Sequence, residues 1–423
     1  MNVNSQPESG SDTALIVGSG IVGIACAHYL MESGYDVTVI DQSSIASACS
    51  HGNLGMVCPS HMLPLTEPGA IGTAIRSFFD PNSAFRVKPR LSPAFCNWMW
   101  QFARRCNHRQ MLEAAFHLKA ILDSSMIEYR RIVSQQSFNC EWTESGLLHV
   151  LETNTGMRKF AETDRLVADE FGVMAQRIEG DELPEFDPAI RPGLAGAFYY
   201  KGDAFVRPDL LNAGWSQSLR KNGVTFLENC KLTAIKKKGR QVRSLQTSQG
   251  TMTADQFVFA TGAWSAQLNT HLHCRIPVEP GKGYSVTMEP PGICPKYPML
   301  FPEHNVGVTP FDHGYRLGSM MEFVGFDSSI PERRIRQLRE FAKPYLVEPF
   351  TDEIQETWYG WRPMTWDGLP IIGRVPRLDN AYLATGHNML GLSLAAGTGK
   401  LIAEIIQEKT THIDSMAFSP ERF

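Results

Sequence analysis

TALIVGSGIVGIACAHYLMESGYDVTVID, residues 13–41, decides the fold. A short apolar, β-leaning run enters Gly18-Ser19-Gly20-Ile21-Val22-Gly23, a G-x-G-x-x-G pattern. A helical pattern follows to Ser33, Gly34 supplies its stop, and the apolar strand DVTVI ends in Asp41. The glycines have separate tasks. Gly18 permits a tight turn, Gly20 lets the backbone approach a pyrophosphate at the helix N-terminus, and Gly23 lets the helix lie close on the strand. Asp41 stands about 18 residues past the last glycine, where a carboxylate accepts hydrogen bonds from ribose hydroxyls and repels a 2′-phosphate. The pattern predicts a dinucleotide-binding βαβ unit, without separating NAD from FAD.

The rest of the composition sets bounds. The chain has 423 residues, 43% hydrophobic and 20% charged, with a formal net charge of -4. That length predicts two or three domains, and the balanced charge carries no nucleic-acid footprint. The basic run KKKGR at 236–240 reads as a solvated turn. Nine cysteines show no metal-ligand spacing, and CNH at 106–108 lacks the second half of a zinc site, so no metal is expected. Their odd number without a disulfide framework fits a reducing cytoplasm. The polar opening MNVNSQPESGSD is expected to be disordered. No secretory signal pattern is present, and the apolar residues 14–30 are interrupted by glycines and His28, too irregular to span a bilayer.

Three later segments return to the nucleotide. RPDLLNAGWSQSLRKNGVTFLENCKL (207–232) predicts a helix, a glycine stop and a strand. QTSQGTMTADQFVFATGAWS (246–265) predicts a hairpin, then a buried strand ending at Thr261-Gly262. NAYLATGHNMLGLSLAAGTGKLIAEIIQ (380–407) predicts a strand, a glycine-rich turn and a helix from about Ser393. The N-terminus of that helix either stabilises negative charge on a reduced flavin or is an ordinary strand–helix connection.

With these segments in view, the chain resembles FAD-dependent D-amino acid dehydrogenases of bacteria, within the D-amino acid oxidase/glycine oxidase superfamily. The resemblance covers most of the chain. It is carried by IVGSGIVG…VTVID, NLGMVCPSHMLPLTEPG (53–69), FCNWMWQFARRCN (95–107), PVEPGKGYSVTM (277–288), GWRPMTWDGLPIIG (360–373) and ATGHNMLGLSLAAGTGK (384–400). It implies an α/β fold: a Rossmann-like FAD-binding domain of discontinuous segments (12–60, 201–275 and 356–423) plus an α+β substrate domain with a mixed or antiparallel sheet (61–200 and 276–355). It implies FAD contacts from Gly18, Ser19, Gly20, Ile21, Val22, Gly23, Asp41 and Gln42. Further contacts are implied from Ser50, His51, Gly52, Asn53, Leu54 and Gly55, from Leu232, and from Thr261, Gly262 and Trp264. Gly386, His387, Gly391, Leu392 and Ser393 complete the flavin side. The sequence departs from the pattern at Met56, His51, Trp361 and Met389, all expected near the substrate. Those departures bear on substrate identity more than on reaction class, and the PSHMLPLTEPG variant leans toward cyclic D-imino acids such as D-proline or cis-4-hydroxy-D-proline.

Arg362 sits among tryptophans, prolines and glycines and keeps its charge at any working pH. Its planar fork pairs with a carboxylate through two charge-assisted hydrogen bonds, and the resemblance implies that it binds the substrate carboxylate. The competing reading ties it to a neighbouring acid such as Asp367. An amino acid anchored at Arg362 with its α-carbon about 3–3.5 Å from flavin N5 can lose hydride, giving an imine and then a 2-oxo acid. Tyr284, on KGYSV read as a turn feeding a strand, is the second catalytic candidate, and His387 the third. Lys282 is expected to solvate the turn. No general base is required, because a neutral amine can release hydride itself. The electron acceptor is expected to be a quinone or O2. FCNWMWQFARRCNHR (95–109) reads either as a helix with one face in the core or as one grazing a membrane, on a cytoplasmic protein. The alternatives are a sarcosine or secondary-amine oxidase, an FAD-carrying electron-transfer subunit, and an NAD-dependent dehydrogenase.

Overall fold

The computed structural model describes residues 11–77, 83–90, 92–135 and 138–423. The disorder expected at the N-terminus concerns mainly residues 1–10, outside the described residues. Residues 13–41 fold as read: strand Thr13–Val17, helix Ile21–Glu32 and strand Asp36–Ile40. They lie at the centre of a six-stranded sheet ordered Ile371–Arg374, Ala381–Thr385, Gln256–Phe259, Thr13–Val17, Asp36–Ile40 and Thr225–Leu227. Every neighbouring pair is parallel except the edge pair Ile371–Arg374 with Ala381–Thr385.

The strands read as continuous apolar runs because both faces are covered. Ala14 and Ile16 face a core shared with helices Ile21–Glu32, His108–Gln135 and Gly391–Ile406. Leu15 and Val17 face the other side, with Ile235, Val242 and Leu245 of a three-stranded sheet. That smaller sheet contains the predicted hairpin, Gln241–Thr247 with Gly250–Met252.

A second sheet has nine strands and is mostly antiparallel. Its order is Ile354–Thr365, Val278–Met288, Gly314–Phe323, Val306–Phe311, Met299–Phe301, Leu147–Leu151, Gly196–Tyr200 and Gln176–Glu179, with Phe85–Val87 beside Gly314–Phe323. Helix Glu332–Ala342 covers part of one face through Ile335 and Leu338.

Three expectations about organisation are corrected. Residues 356–365, assigned above to the nucleotide side, belong to the second sheet: strand Ile354–Thr365 pairs with Val278–Met288 along its whole length. KGYSV is therefore strand interior, with no turn in it. Helix His108–Gln135, assigned to the substrate side, packs on Gly391–Ile406. Its buried stripe of Ala115, Leu118, Leu122, Met126 and Tyr129 recurs at helical spacing and joins the core with Ile24 and Leu394. Tyr129 donates to Leu392 O at 2.7 Å, and Lys400 pairs with Glu128 at 2.7 Å. Helix Pro93–Arg105 buries Phe95, Trp98 and Phe102 and leaves Trp100 exposed beneath the Arg104 guanidinium. Among the described residues no helix is long and apolar enough to cross a membrane.

Candidate functional site

The glycine turn is shaped by contacts that exclude a side chain. Gly18 has φ +110°, and a Cβ there would lie 2.4 Å from Ala260 O. A Cβ on Gly23 would lie 1.9 Å from Gly18 O, so the helix rests directly on the turn. Gly20 is the N-cap of that helix. Its first amide, Ile21 N–H, donates to Ser50 Oγ at 3.0 Å. Val22 packs partly buried against the core behind.

Asp41 accepts from Ser19 N–H at 2.7 Å and Ser19 Oγ–H at 3.0 Å, and from Ser43 N–H at 2.9 Å. Cys230 N–H donates to Asp41 O at 2.6 Å, which brings the chain entering Leu232 beside this acid. Gln42 is exposed just beyond. Thr261, Ser265 and Thr385 join hydroxyls at 2.8 and 2.7 Å, and Thr385 donates to Gly262 O at 3.1 Å. This ties together the ends of two parallel strands next to Gly18. A glycine turn at a helix N-terminus, with a carboxylate at the end of the next strand, fits a dinucleotide.

Residues 50–55 are clamped between helix Pro208–Lys221 and the second sheet. On the nucleotide side, Asn212 Nδ2 donates to Ser50 O at 2.9 Å. On the other, Ser285 Oγ donates to Gly52 O at 2.7 Å, Arg316 Nη1 to Asn53 O at 2.8 Å and Thr309 Oγ1 to Leu54 O at 2.7 Å. Asn53 holds its own loop by donating to Ser50 O and accepting from Gly55 N–H. Leu54 lies against Gly307 and Gly318, and Gly55 (φ +73°) leaves no room for a Cβ beside Val206 O. His51 Nε2 lies 2.8 Å from Glu356 Oε1, and that carboxylate raises its pKa.

Arg362 faces this loop. Side chains alternate along a strand, so Trp358, Gly360 and Arg362 share a face with Gly281, Gly283 and Ser285 across the register. Trp358 lies over Gly52 and Gly360, and a Cβ on Gly360 would lie 3.2 Å from Cys49 Cα. The guanidinium occupies the space above Gly283, where a Cβ would come within 2.3 Å of Nη1. Nη1 donates to Met320 O at 2.6 Å. Burial lowers the pKa of Arg362, although its side chain still reaches solvent. Among the described residues it pairs with no carboxylate. Asp367, the competing partner, accepts instead from Arg422 Nε at 2.9 Å.

The turn 386–391 joins the same place. Asn388 N–H donates to Pro363 O at 3.1 Å, and Thr365 N–H to Asn388 Oδ1 at 2.8 Å. Helix Gly391–Ile406 starts at Gly391, two residues before the expected Ser393. Ser393 Oγ donates to Met56 O at 3.0 Å.

Several candidates are placed elsewhere. Tyr284 occupies the opposite face of the sheet from Arg362, and its hydroxyl donates to Glu322 at 2.7 Å within the core. Lys282, expected on a solvated turn, is buried on that face, bonded to Ser329 O and 3.5 Å from Asp327. Trp361 points the same way and meets Trp264, Phe326 and Tyr359 edge to face. Its expected place near substrate is thereby lost, and Trp264 spends its ring on the same cluster. His387 is buried with its pKa lowered to about 3, and its Nε2 meets Thr398 Oγ1 at 3.0 Å. The buried ring is neutral and braces the helix through Thr398. Met389 is exposed. Sequence reasoning missed Asn212, Ser285, Thr309 and Arg316, the clamps of the 50–55 loop. They lie far off in the chain and form no motif with it.

A family description, FAD dependent oxidoreductase (DAO), matches residues 13–405. The chain is 30% identical over 415 residues to D-amino acid dehydrogenase of Neisseria meningitidis serogroup C, covering 97% of this chain and 99% of that one. Its fold is similar to that of glycine oxidase from Geobacillus kaustophilus (TM-score 0.77, 22% identity, 98% and 100% of the two chains). It is also similar to L-proline dehydrogenase from P. horikoshii (TM-score 0.72, 20% identity, 98% of each). A match spanning both sheets agrees with the glycine turn and the Arg362 strand, and the chain belongs to the DAO family of FAD-dependent oxidoreductases.

Proposed function

We propose that this enzyme oxidises a D-amino or D-imino acid at its α-carbon, with Arg362 holding the carboxylate. The observation that carries this reading is a deeply placed guanidinium, free of any acid among the described residues, on the face turned to the 50–55 loop. A carboxylate guest supplies the missing charge and takes up the fork. The D-configuration rests on likeness to the D-amino acid dehydrogenase named above. The glycine turn, Asp41 and the 50–55 loop would hold FAD, which supplies the hydride acceptor when bound.

The chain's own part is to bind, aim and keep water out. Trp358 lies on one side of Arg362, with Met321 and Met364 beside Gly281 on the other. These walls suit a neutral side chain or a ring, including cyclic imino acids. Cys49, the titratable neighbour of Arg362, has its thiol pushed up to about 11 by burial and carries no base at neutral pH. The substrate amine therefore enters deprotonated from solvent, and turnover rises with pH through the amine's own pKa. The division into an FAD side and a substrate side, and a quinone or O2 as final acceptor, belong to the same proposal.

The test is anaerobic mixing of the purified flavoprotein with D-amino acids, D-proline derivatives, their L-enantiomers and sarcosine. Bleaching of the flavin by D-enantiomers supports the proposal. Bleaching by sarcosine or L-enantiomers alone, or by none of the panel, overturns it.

A further inference from the structure

Arg362 rests on a backbone carbonyl, and the structure offers a reason why that carbonyl is where it is. Met320 has φ +74°, a left-handed conformation that a non-glycine residue rarely adopts. It sits at a bulge. Lys282 pairs with Glu322 and Tyr284 with Ser319, so one extra residue is inserted into strand Gly314–Phe323. The bulge turns Met320 O toward Arg362 Nη1, at 2.6 Å.

A buried network holds the bulge from the other face of the sheet. Glu322 and Arg334 are 3% and 1% exposed. Arg334 Nε donates to Glu322 Oε1 at 2.9 Å, and Tyr284 O–H donates to the second carboxylate oxygen at 2.7 Å. Arg334 also donates to Ser83 O and Gln337 Oε1, while Met321 N–H donates to Ala84 O at 2.8 Å. A buried ion pair is weak evidence for stability. This one joins the bulge, helix Glu332–Ala342 and the chain at 83–84 in a fixed geometry.

We infer that Glu322 and Arg334, with Tyr284, are positioning residues. They fix the Met320 bulge so that its carbonyl aims the Arg362 fork at the substrate carboxylate. The inference rests on the proposed role of Arg362.

The test uses the FAD-loaded enzyme, with anthranilate as a carboxylate that offers no α-C–H to oxidise. The double variant Glu322→Leu/Arg334→Met removes both charges together and leaves neither buried alone. Expected are full FAD content, anthranilate affinity at least tenfold weaker, a similarly raised KM, and kcat within about twofold. Should that variant fail to fold, Tyr284→Phe carries the test, with an expected threefold rise in KM at unchanged kcat. Unchanged affinity and KM in a folded variant overturn the inference. Arg362→Lys, run in parallel, separates the two readings. If it too leaves KM unchanged, the role of Arg362 itself has failed. If it raises KM while the network variants do not, only the positioning role falls.

Discussion

Arg362 and Gly283 form a matched pair: the guanidinium fills the volume that any side chain at 283 would claim. Gly283→Ala is expected to push the fork aside and raise KM about tenfold, with FAD content unchanged in the absorption spectrum. Arg362→Lys keeps the charge but loses the fork, and about 1.5–3 kcal/mol of charge-assisted bonding corresponds to a KM increase of about 10- to 150-fold. Steady-state kinetics on the best substrate check both. At His387 the expected effect is on folding: His387→Ala is expected to lower the thermal midpoint while leaving the pH profile of turnover unmoved, because the buried ring is neutral across the working range. A profile that shifts with His387→Ala would restore a catalytic role.

At the scale of elements, the two ties on the 50–60 stretch both lose stability as pH rises, in different windows and for different reasons. His51 has its pKa raised by Glu356. Its contribution is fully present below the unfolded value of about 6.5 and is lost as pH rises through the folded value. Both partners are more than one-third exposed, so the effect is small, about 0.5 kcal/mol. The stability gap between the parent and Glu356→Gln is expected to be wider at pH 6 than at pH 9. Asp203, which accepts from Ser60 N–H and Ser60 Oγ–H, has its carboxyl pushed up to about 7 by burial, from an ordinary 3.8. The folded state disfavours its charge, so stability falls as pH rises from about 4 to about 7. Asp203→Asn removes that loss, and its unfolding free energy from denaturant titration is expected to exceed the parent's at pH 8 by about 2–4 kcal/mol and to match it near pH 4.

At the scale of the whole molecule, the 50–55 loop is bonded to helices Ile21–Glu32 and Pro208–Lys221 on the nucleotide side and to the second sheet on the other, so a ligand gripping it stabilises their joint arrangement. FAD at about 100 times its Kd is expected to raise the apoprotein's stability by about 2.7 kcal/mol, read as a rise in thermal midpoint, with NAD giving none. The nucleotide turn was legible because glycine spacing, apolar strand runs and Asp41 act within one local βαβ unit. Arg362 was legible because its charge stands out among apolar and turn-forming neighbours. Tyr284, Lys282 and Trp361 were misplaced because a strand alternates faces, and only the register with Gly314–Phe323 and Ile354–Thr365 reveals which face meets the loop. By itself the sequence determined the family, the dinucleotide turn and the one cation to watch, since each depends on residue type at short spacing. Tertiary structure alone decided what surrounds that cation, from the Gly283 gap to the Met320 carbonyl, since these contacts join strands whose pairing no local pattern encodes.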